Sequence, residues 1–425
     1  MWLTLLFNTH HAVAELAIEV TQGIDNPTRI AVVPFSQGRL IDDDMAAIVA
    51  ADLERSGQFD PLARSSMYAS PSSAEQVHYR DWRALGVDYL LIGRVEPASS
   101  GGAVTLHTEL FDVHRQRSIM RSRHTDQSRN GRSIAHAASD AVYKKLTGID
   151  GAFSTRIAYV SVKRTADGAQ NYRLVVADAD GARHRVVLRS KEPMLSPSWS
   201  PDGKYLAYVS FETSRPAIFR QEISTGKREK LTNFRGLNSA PAWSPDGRKL
   251  AMVLSKDGNP EIYVMDLASR SLRRVTDHYA IDTEPAWMPD GRSLLFTSDR
   301  GGTPQIYKVL LASGEVSRVT FRGNYNAKAN VLPEGNAIVT IHRPGTGRGY
   351  HIAWQDLQRG RVVVLTDSSL DESPSVAPNG TMLMYATKHR GSGVLAAVSV
   401  DGGIKFRLPS PTSDVREPAW SPYLK

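Results

Sequence analysis

The chain has 425 residues, of which 41% are hydrophobic and 23% are charged, a composition typical of a soluble globular protein with room for two domains. It contains no cysteine, which excludes disulfides, thiolate metal sites and cysteine nucleophiles. The net charge is +8, but there is no run of five Lys or Arg residues and no stretch of about 18 apolar residues. We therefore expect neither nucleic-acid binding nor a membrane span.

The N-terminal residues carry the pattern of a secretory signal. The apolar run WLTLLF, from Trp2 to Phe7, is followed by AVA at 12–14, which fits a cleavage site before Glu15. We expect export, with residues 1–14 as part of a signal peptide and residues 15–27 as a flexible segment. A frayed strand is the alternative interpretation.

Residues 28–150 mix helix and strand patterns and predict an α/β domain. The runs RIAVVPF and VDYLLIGRV indicate buried strands at 29–35 and 87–95. Apolar residues at helical spacing predict helices at 42–54 and 133–146, the second ending at Gly148. Between them, two alternating runs predict a hairpin that turns at 114–116.

From residue 154 to the C-terminus, short strand-like runs repeat at a fixed interval. PSWSPDGKYL, PAWSPDGRKL and PAWMPDGRSL begin at Pro197, Pro241 and Pro285, which are 44 residues apart. A later strand recurs six times, centred on Leu174, Ile218, Ile262, Ile306, Ile352 and Leu395. A period of this length, carried by strands, predicts a six-bladed β-propeller at 154–425. The first unit lacks the motif, and PAWSP at the C-terminus supplies it, so we expect the C-terminal strand to close the ring.

The repeated motif predicts structure rather than chemistry. Asp-Gly between two strands indicates a tight turn, and Trp199, Trp243, Trp287 and Trp420 are expected to pack between blades. Ser244 and Asp246 lie two residues apart on such a turn with no histidine beside them, which argues against a catalytic pair. The nucleophile-elbow, zinc-protease and P-loop motifs do not occur. We expect no catalytic residue, no metal site and no cofactor.

The alternation of strand direction determines which loops share a face of the propeller. The Asp-Gly turns lie on one face, and the loops that cross from one blade to the next lie on the other, around the channel. The crossing positions are acidic, at Asp282, Glu284, Asp371, Glu372 and Glu417. The loops between the second and third strands are basic, at Arg215, Lys256, Arg300, Arg343, Arg348, His389 and Arg390. These charges predict an acidic funnel inside a basic collar that docks a protein of reverse charge, although loops are commonly polar in any case.

The whole arrangement resembles the TolB family, periplasmic propeller proteins of the Tol–Pal system of Gram-negative envelopes. The likeness covers residue 15 to the end and depends on the α/β domain, the WSPDG repeats, TEPAW at 283–287, LDESPSVAPNGTM at 370–382 and the closing PAWSPYLK. It implies a non-enzymatic protein, expected to be monomeric, that links the membrane layers during cell constriction. It also implies two partners, the peptidoglycan-associated lipoprotein Pal on the propeller and TolA at the mature N-terminus, with communication between the two sites.

The resemblance and the charge pattern together assign candidate contacts. Pal-binding candidates are Leu237, Asn238, Ala240, Asp282, Thr283, Glu284, Asp371, Glu372 and Glu417. TolA-binding candidates are Glu15, Leu16, Ala17, Ile18, Glu19 and Val20. The family often has histidine where Leu237 stands, so Leu237 departs from the pattern. An edge strand of the α/β domain is the alternative interpretation of residues 15–27.

Two other classes of function stay open at this point. Similar propellers gate peptidases or line the active sites of sugar lyases, which need a hydrolase domain or clustered His and Lys at the channel. His278 is the only histidine in the crossing loops. An interaction scaffold outside the Tol–Pal system is the other alternative.

Overall fold

The fold consists of an α/β domain followed by a six-bladed β-propeller, which confirms the predicted fold class. The computed structural model describes residues 19–22, 26–38, 40–98, 101–165, 167–345, 348–368, 370–408 and 413–424. The predicted signal segment at 1–14 lies outside these residues, as do four of the TolA-binding candidates, Glu15, Leu16, Ala17 and Ile18.

The α/β domain is built on a five-stranded mixed sheet with strand order β3-β2-β4-β5-β6. The N-terminal strand β1 spans Glu19–Gln22, and the sheet contains β2 (Thr28–Val32), β3 (Phe59–Pro61), β4 (Tyr89–Pro97), β5 (Ala103–Asp112) and β6 (Arg117–Gln127). The helices are α1 (Met45–Arg55), α2 (Tyr79–Ala84) and α3 (Gly131–Thr147). The short helix α2 was not predicted.

Local signals explain where the two long helices begin and end. The Asp44 side chain caps α1 by accepting a hydrogen bond from the Ala47 N–H at 3.0 Å. Helix α3 ends at Gly148, whose φ of 78° is the left-handed conformation that favours glycine. Both helices pack on one face of the sheet, against buried residues such as Ile30 and Leu91. The predicted ranges 42–54 and 133–146 therefore identified both helices to within a few residues.

Each propeller blade has four antiparallel strands of its own, and β1 adds a fifth strand to the sheet of blade 6. Blade 1 contains β30 (Asp414–Trp420), β7 (Arg156–Arg164), β8 (Gln170–Asp178) and β9 (Arg185–Ser190). Blade 2 contains β10 (Met194–Trp199), β11 (Tyr205–Ser210), β12 (Ala217–Glu222) and β13 (Arg228–Lys230). Blade 3 contains β14 (Asn238–Trp243), β15 (Lys249–Leu254), β16 (Glu261–Asp266) and β17 (Leu272–Arg274).

The remaining blades repeat this order. Blade 4 contains β18 (Asp282–Trp287), β19 (Ser293–Ser298), β20 (Gln305–Leu310) and β21 (Val316–Arg318). Blade 5 contains β22 (Tyr325–Val331), β23 (Ala337–Arg343), β24 (His351–Asp356) and β25 (Val362–Val364). Blade 6 contains β26 (Glu372–Val376), β27 (Met382–His389), β28 (Ser392–Ser399) and β29 (Lys405–Arg407). Because β30 pairs with β7, the C-terminal strand closes the ring as predicted.

The repeated tryptophans join neighbouring blades. The indole N–H of Trp243 donates to the Ser198 carbonyl of blade 2 at 3.1 Å, and that of Trp287 donates to the Ala242 carbonyl of blade 3 at 3.0 Å. Trp199 makes the same bond to Ala419 of blade 1, also at 3.0 Å. The fourth, Trp420, packs against the apolar cluster between blades 6 and 1 and donates to Thr155 Oγ1 at 2.7 Å. The prediction that the four tryptophans pack between blades is confirmed, and Trp199, Trp243 and Trp287 also satisfy a carbonyl of the preceding blade.

The Ser-Pro-Asp-Gly turns are held by their own side chains. Ser244 Oγ donates to Asp246 Oδ1 at 2.6 Å, and the Arg248 N–H donates to the same oxygen at 3.0 Å. These bonds lower the pKa of the Asp246 carboxyl. The predicted tight turn is present, and only Gly247 of the Asp-Gly pair is left-handed, with a φ of 70°. The Gly247 N–H bonds to the Ser244 carbonyl, as in a turn with proline at its second position.

The α/β domain packs on the face of the propeller that carries the Asp-Gly turns, here called the DG-turn face. Asn379 lies in the turn between β26 and β27, and its side-chain amide donates to the Asp150 carbonyl at 3.0 Å. The turn between β8 and β9 contacts α3, where Arg183 Nη2 donates to Ser133 Oγ at 2.9 Å. The opposite face carries the loops between blades and is called the crossing-loop face.

Candidate functional site

Six residues with left-handed backbone surround the propeller channel, one on the innermost strand of each blade. They are Ser196, Ala240, Glu284, Lys328, Ser373 and Glu417, with φ between 48° and 54°. The pairing register with the second strand shifts at each of them, as in a β-bulge. We call these six residues the bulge ring. A bulge redirects the local backbone and side chain. Because the same geometry is repeated in all six blades, the ring is a regular feature of the channel.

Two glutamates of the bulge ring bind the backbone of the next blade. Glu284 Oε2 accepts a hydrogen bond from the Lys328 N–H at 2.8 Å and another from Thr297 Oγ1 at 2.8 Å. Glu417 Oε2 accepts one from the Ser196 N–H at 3.1 Å. In both pairs the carboxylate belongs to one blade and the N–H donor to the bulge-ring residue of the following blade.

Lys328 places a positive charge in the channel. Its ammonium donates to Ser373 Oγ at 2.9 Å and to Glu417 Oε2 at 3.3 Å, so it connects blades 5, 6 and 1. Burial opposes the charge, but the carboxylates of Glu417 and Glu284 outweigh it and raise the pKa of Lys328. The predicted funnel contained acids alone, and Lys328 was missed. The phase of the repeat could have identified it, because Lys328 follows Glu284 by 44 residues.

The channel beside the bulge ring encloses a cavity of about 580 Å³. Nine prolines line it, among them Pro201, Pro333, Pro378 and Pro422 near the DG-turn face. Three members of the bulge ring, Glu284, Lys328 and Glu417, are the charged side chains in this lining, and the rest of the wall is uncharged.

The structure corrects the predicted acidic funnel at two of its five positions. Asp282 and Asp371 are both 0% exposed, so neither carboxylate faces the channel or solvent. Arg300 Nη2 donates to Asp282 Oδ2 at 2.7 Å, and Ser368 Oγ donates to Asp371. Burial raises the pKa of Asp282, although hydrogen bonds from Ser298 and Arg300 act in the opposite direction. A partner docked on this arrangement could not touch either carboxylate directly.

The other three acids remain accessible in part. Glu284, Glu372 and Glu417 are half-buried on the innermost strands of blades 4, 6 and 1. The predicted basic collar is also interrupted, because Arg300 turns inward to Asp282 and its side chain is only 15% exposed. Arg215, Arg348 and Arg390 are exposed, while Lys256, Arg343 and His389 are half-buried.

The candidates that precede the motif differ in what they can contact. Asn238 is 0% exposed, and its side chain donates to the Phe234 and Gly236 carbonyls, which fixes the crossing loop before blade 3. Leu237, Ala240 and Thr283 are half-buried, and of these three Ala240 lines the channel cavity. Asn238 therefore shapes the loop, whereas the other three keep part of their surface exposed.

The remaining TolA-binding candidates, Glu19 and Val20, lie in a strand that pairs with the propeller. Strand β1 runs antiparallel to β29, the outermost strand of blade 6, with Glu19 opposite Arg407 and Val20 opposite Phe406. The alternative interpretation, an edge strand of the α/β domain, is wrong in its location, because β1 extends a propeller blade to five strands.

A buried ion network lies between the two domains. His136 Nδ1 lies 2.7 Å from Asp52 Oδ2 of α1, and His136 Nε2 lies 3.8 Å from Asp178 Oδ2 and 3.9 Å from Asp180 Oδ2 of blade 1. Burial opposes protonation, but Asp52, Asp178 and Asp180 together raise the pKa of His136 to about 9. The imidazole is therefore a cation between carboxylates of both domains.

This network contains a group with metal-ligand spacing, which the sequence did not predict. Ligand atoms of Asp52, His136 and Asp180 all lie within 4.8 Å of one another. Arg55 already pairs with Asp52, and Arg132 with Asp180. With the guanidinium groups in place and the imidazole protonated, these carboxylates are neutralised by the chain itself, so the group fits an ion network better than a divalent cation.

The protein is therefore a two-domain propeller protein, in which an α/β domain is joined to a β-propeller and the innermost propeller strands carry the bulge ring. Two family descriptions match the chain, "TolB amino-terminal domain" over residues 16–119 and "TolB beta propeller domain" over residues 143–424. The chain belongs to the TolB family. No helix among the described residues is long and apolar enough to cross a membrane.

Individual relatives match over nearly the whole chain. The Tol-Pal system protein TolB of Pseudomonas fluorescens (strain Pf0-1) is 59% identical over 412 residues, which cover 96% of this chain and 95% of that protein. The protein of the same name from Pseudomonas syringae pv. tomato is 58% identical over 415 residues, covering 97% and 95%. The crystal structure of TolB from Acinetobacter baumannii matches with a TM-score of 0.89 at 43% identity, covering 96% of this chain and 100% of that one.

Proposed function

We propose that this protein is a non-enzymatic, periplasmic interaction component of the Tol–Pal system. It binds the peptidoglycan-associated lipoprotein Pal over the crossing-loop face and TolA through the segment from Glu15 to Val20. In this role it supports the integrity of the outer membrane and the constriction of the envelope during cell division. Membership in the TolB family supports the assignment to the Tol–Pal system.

One observation carries the choice of the crossing-loop face. Two neighbouring crossing loops expose large aromatic side chains, with Tyr279 at 86% and Phe321 at 71% exposure. Ile281, next to them on the first loop, is 49% exposed. Aromatic residues with so much exposed area are enriched at protein interfaces. The α/β domain packs on the DG-turn face and leaves these loops open to a partner.

The chemistry of the repeat supports a role without catalysis. Ser244 Oγ donates to Asp246 Oδ1 and accepts from the Lys249 N–H, and Asp246 Oδ1 also accepts from the Arg248 N–H, so both side chains are committed to holding the turn. The same pair recurs as Ser200 with Asp202 at 2.6 Å in blade 2. Repetition of this pair in separate blades fits a structural turn and not a single active site.

The pairing of β1 supports the assignment of TolA binding to the N-terminal segment. Residues Glu19 to Gln22 add to the free edge of a blade as an extended strand. A segment that adds to a sheet edge within its own chain has the conformation needed to add to the sheet of a partner.

Direct binding measurements test the proposal. Purified mature protein is titrated with Pal and, separately, with TolA, and each titration is repeated after deletion of residues 15–26. We expect the deletion to abolish TolA binding and to leave Pal affinity within about twofold. Loss of both partners would contradict separate sites, and failure of the intact protein to bind either one would reject the proposal.

A further inference from the structure

The crossing loops before blades 4 and 5 lie over two different pairs of buried polar side chains. Under the loop before blade 5, Gln305 and Asn326 are both amides, and Asn326 Nδ2 donates to Gln305 Oε1 at 2.9 Å. Under the loop before blade 4, the positions 44 residues earlier are Glu261 and Asp282. All four side chains are at most 2% exposed. The pair under the blade-4 loop therefore consists of two acids, where the blade-5 pair has a donor and an acceptor.

A threonine hydroxyl beside each pair shows what the two acids lack. Thr320 Oγ1 donates to Gln305 Oε1 at 2.7 Å, and Thr276, 44 residues earlier, donates to Glu261 Oε2 at 2.6 Å. Thr276 is also close enough to Asp282 to lower the pKa of that carboxyl, but its hydroxyl has only one proton to donate. Asp282 Oδ1 is buried and has no hydrogen-bond partner among the residues that the structure describes. A proton bound between the two acids would make the bond that the amide pair makes in blade 5.

The charged groups around the two acids favour one bound proton. Arg300 Nη2 donates to Asp282 Oδ2 at 2.7 Å, and Arg274 Nη2 donates to Glu261 Oε1 at 3.1 Å. Arg274 also pairs with Asp277 at 2.8 Å, so three carboxylates face two guanidinium groups. The other titratable groups nearby are Tyr263 on β16, His278 in the loop and Asp299 after β19. Burial is the largest influence on Asp282 and raises its pKa, which also favours a bound proton.

Glu261 connects the pair of acids to the loop that carries an exposed aromatic side chain. Its Oε1 atom accepts the His278 N–H at 2.8 Å, one residue before Tyr279. Asp282 is the first residue of β18 and directly follows Ile281, the last residue of the loop. Both ends of the loop are therefore attached to the pair, so repulsion between two ionised carboxylates would displace it.

We propose that Glu261 and Asp282 share one proton, and that this proton positions the crossing loop at 275–281 for docking of the partner. In the protonated pair, Asp282 donates to Glu261, and the loop keeps Tyr279 exposed in one position. After loss of the proton, the two buried carboxylates repel each other and the loop shifts. The inference rests on the proposed function, in which Pal docks on this face, and both acids are positioning residues because neither is exposed to a partner. Pal should therefore bind more weakly as the pH rises.

The pH profile of Pal binding, measured with amide variants of both acids, tests the inference. Asp282→Asn supplies a permanent N–H donor to Glu261, as the amide of blade 5 does, and Glu261→Gln supplies one to Asp282. Asp290→Asn is the matched control, because Asp290 is an exposed acid of blade 4 on the DG-turn face. Binding of Pal without its lipid is measured by calorimetry from pH 5 to pH 9. Thermal unfolding is recorded for each variant, and if one amide variant does not fold, the other decides.

We expect the wild type and Asp290→Asn to lose at least fivefold in Pal affinity between pH 5 and pH 9. The affinity of Asp282→Asn and of Glu261→Gln should vary by less than twofold, because the amide replaces the titrating proton. His278 and the titrating groups of Pal are the same in all four titrations, so a pH dependence that persists in a folded amide variant would belong to them. That result, or a wild type without pH dependence, would overturn the inference while Pal binding itself stands. Absence of Pal binding by the wild type at every pH would instead reject the proposed function.

Discussion

His136 Nδ1 lies 2.7 Å from Asp52 Oδ2, and this contact forms one side of a cation bridge between the α/β domain and blade 1. On the other side, Asp178 and Asp180 of the propeller face His136 Nε2. Arg132 and Arg183 pair with the same propeller carboxylates. Because all of these carboxylates are at most 8% exposed, the bridge couples the two domains in a medium that screens charge poorly.

The bridge predicts that stability falls at alkaline pH. The pKa of His136 is raised from 6.5 to about 9 in the folded state, so its contribution is complete below pH 6.5 and is lost as the pH rises through 9. The full contribution is on the order of 3 kcal/mol. We expect the free energy of unfolding to fall between pH 7 and 9.5, measured by urea denaturation.

His136→Gln is the control for this pH dependence, because it keeps a polar side chain that does not titrate. At pH 7 the variant should have a lower free energy of unfolding than the wild type. By pH 9.5 the two free energies of unfolding should be nearly equal. An equal pH dependence in both proteins would show that other groups cause it.

Removal of one inter-blade tryptophan should weaken the ring through lost packing. Trp287 is 8% exposed and bonds to the Ala242 carbonyl. We expect Trp287→Ala to cost about 3–5 kcal/mol of unfolding free energy. Trp287→Phe keeps most of the packing but leaves the carbonyl without its donor, so about 1–3 kcal/mol is expected. Denaturant unfolding measures the loss of unfolding free energy in both variants. Equal losses would contradict a packing role for the indole ring.

Lys328 should stabilise the channel only while its carboxylate partners are present. Lys328→Met leaves Glu417 without its ammonium partner, and we expect a loss of about 1–3 kcal/mol, less than for a fully buried pair because the lysine side chain is 26% exposed. In the Glu417→Gln background the same change should cost less. Thermal unfolding of the four proteins gives the coupling, and additive losses would exclude a direct interaction.

The sequence predicted features that repeat and missed features that depend on a single long-range contact. The spacing of Trp199, Trp243 and Trp287 identified the blades and their packing, because each copy reports the same position in the repeat. The burial of Asp282 could not be predicted, since it depends on Arg300 folding back across its own blade. Likewise, nothing local to Glu19 or Val20 indicates their pairing with β29, nearly the whole chain away.

The bulge ring lies between these two cases. Its phase can be read from the 44-residue spacing, which places Ala240, Glu284 and Lys328 in equivalent positions, although a proline follows only the first two of them. The left-handed backbone cannot be read in this way, because Glu and Lys rarely adopt it and the bulge depends on pairing with the neighbouring strand. The phase of the repeat therefore identifies equivalent positions on the innermost strands, but it does not show which side chains and N–H groups are directed into the channel.

The location of the Pal site is the central claim, and one substitution on each face of blade 4 tests it. Thr283 is half-buried near the mouth of the channel on the crossing-loop face. Ser313 is exposed in the turn between β20 and β21, on the DG-turn face of the same blade, and serves as the matched control. Each is changed to arginine, and folding is checked by thermal unfolding before Pal binding is measured by calorimetry.

We expect Thr283→Arg to reduce Pal affinity at least a hundredfold, because the long charged side chain stands in the channel mouth, and Ser313→Arg to bind like the wild type. A folded Thr283→Arg that binds Pal with unchanged affinity, or a Ser313→Arg that loses binding, would contradict a Pal site on the crossing-loop face.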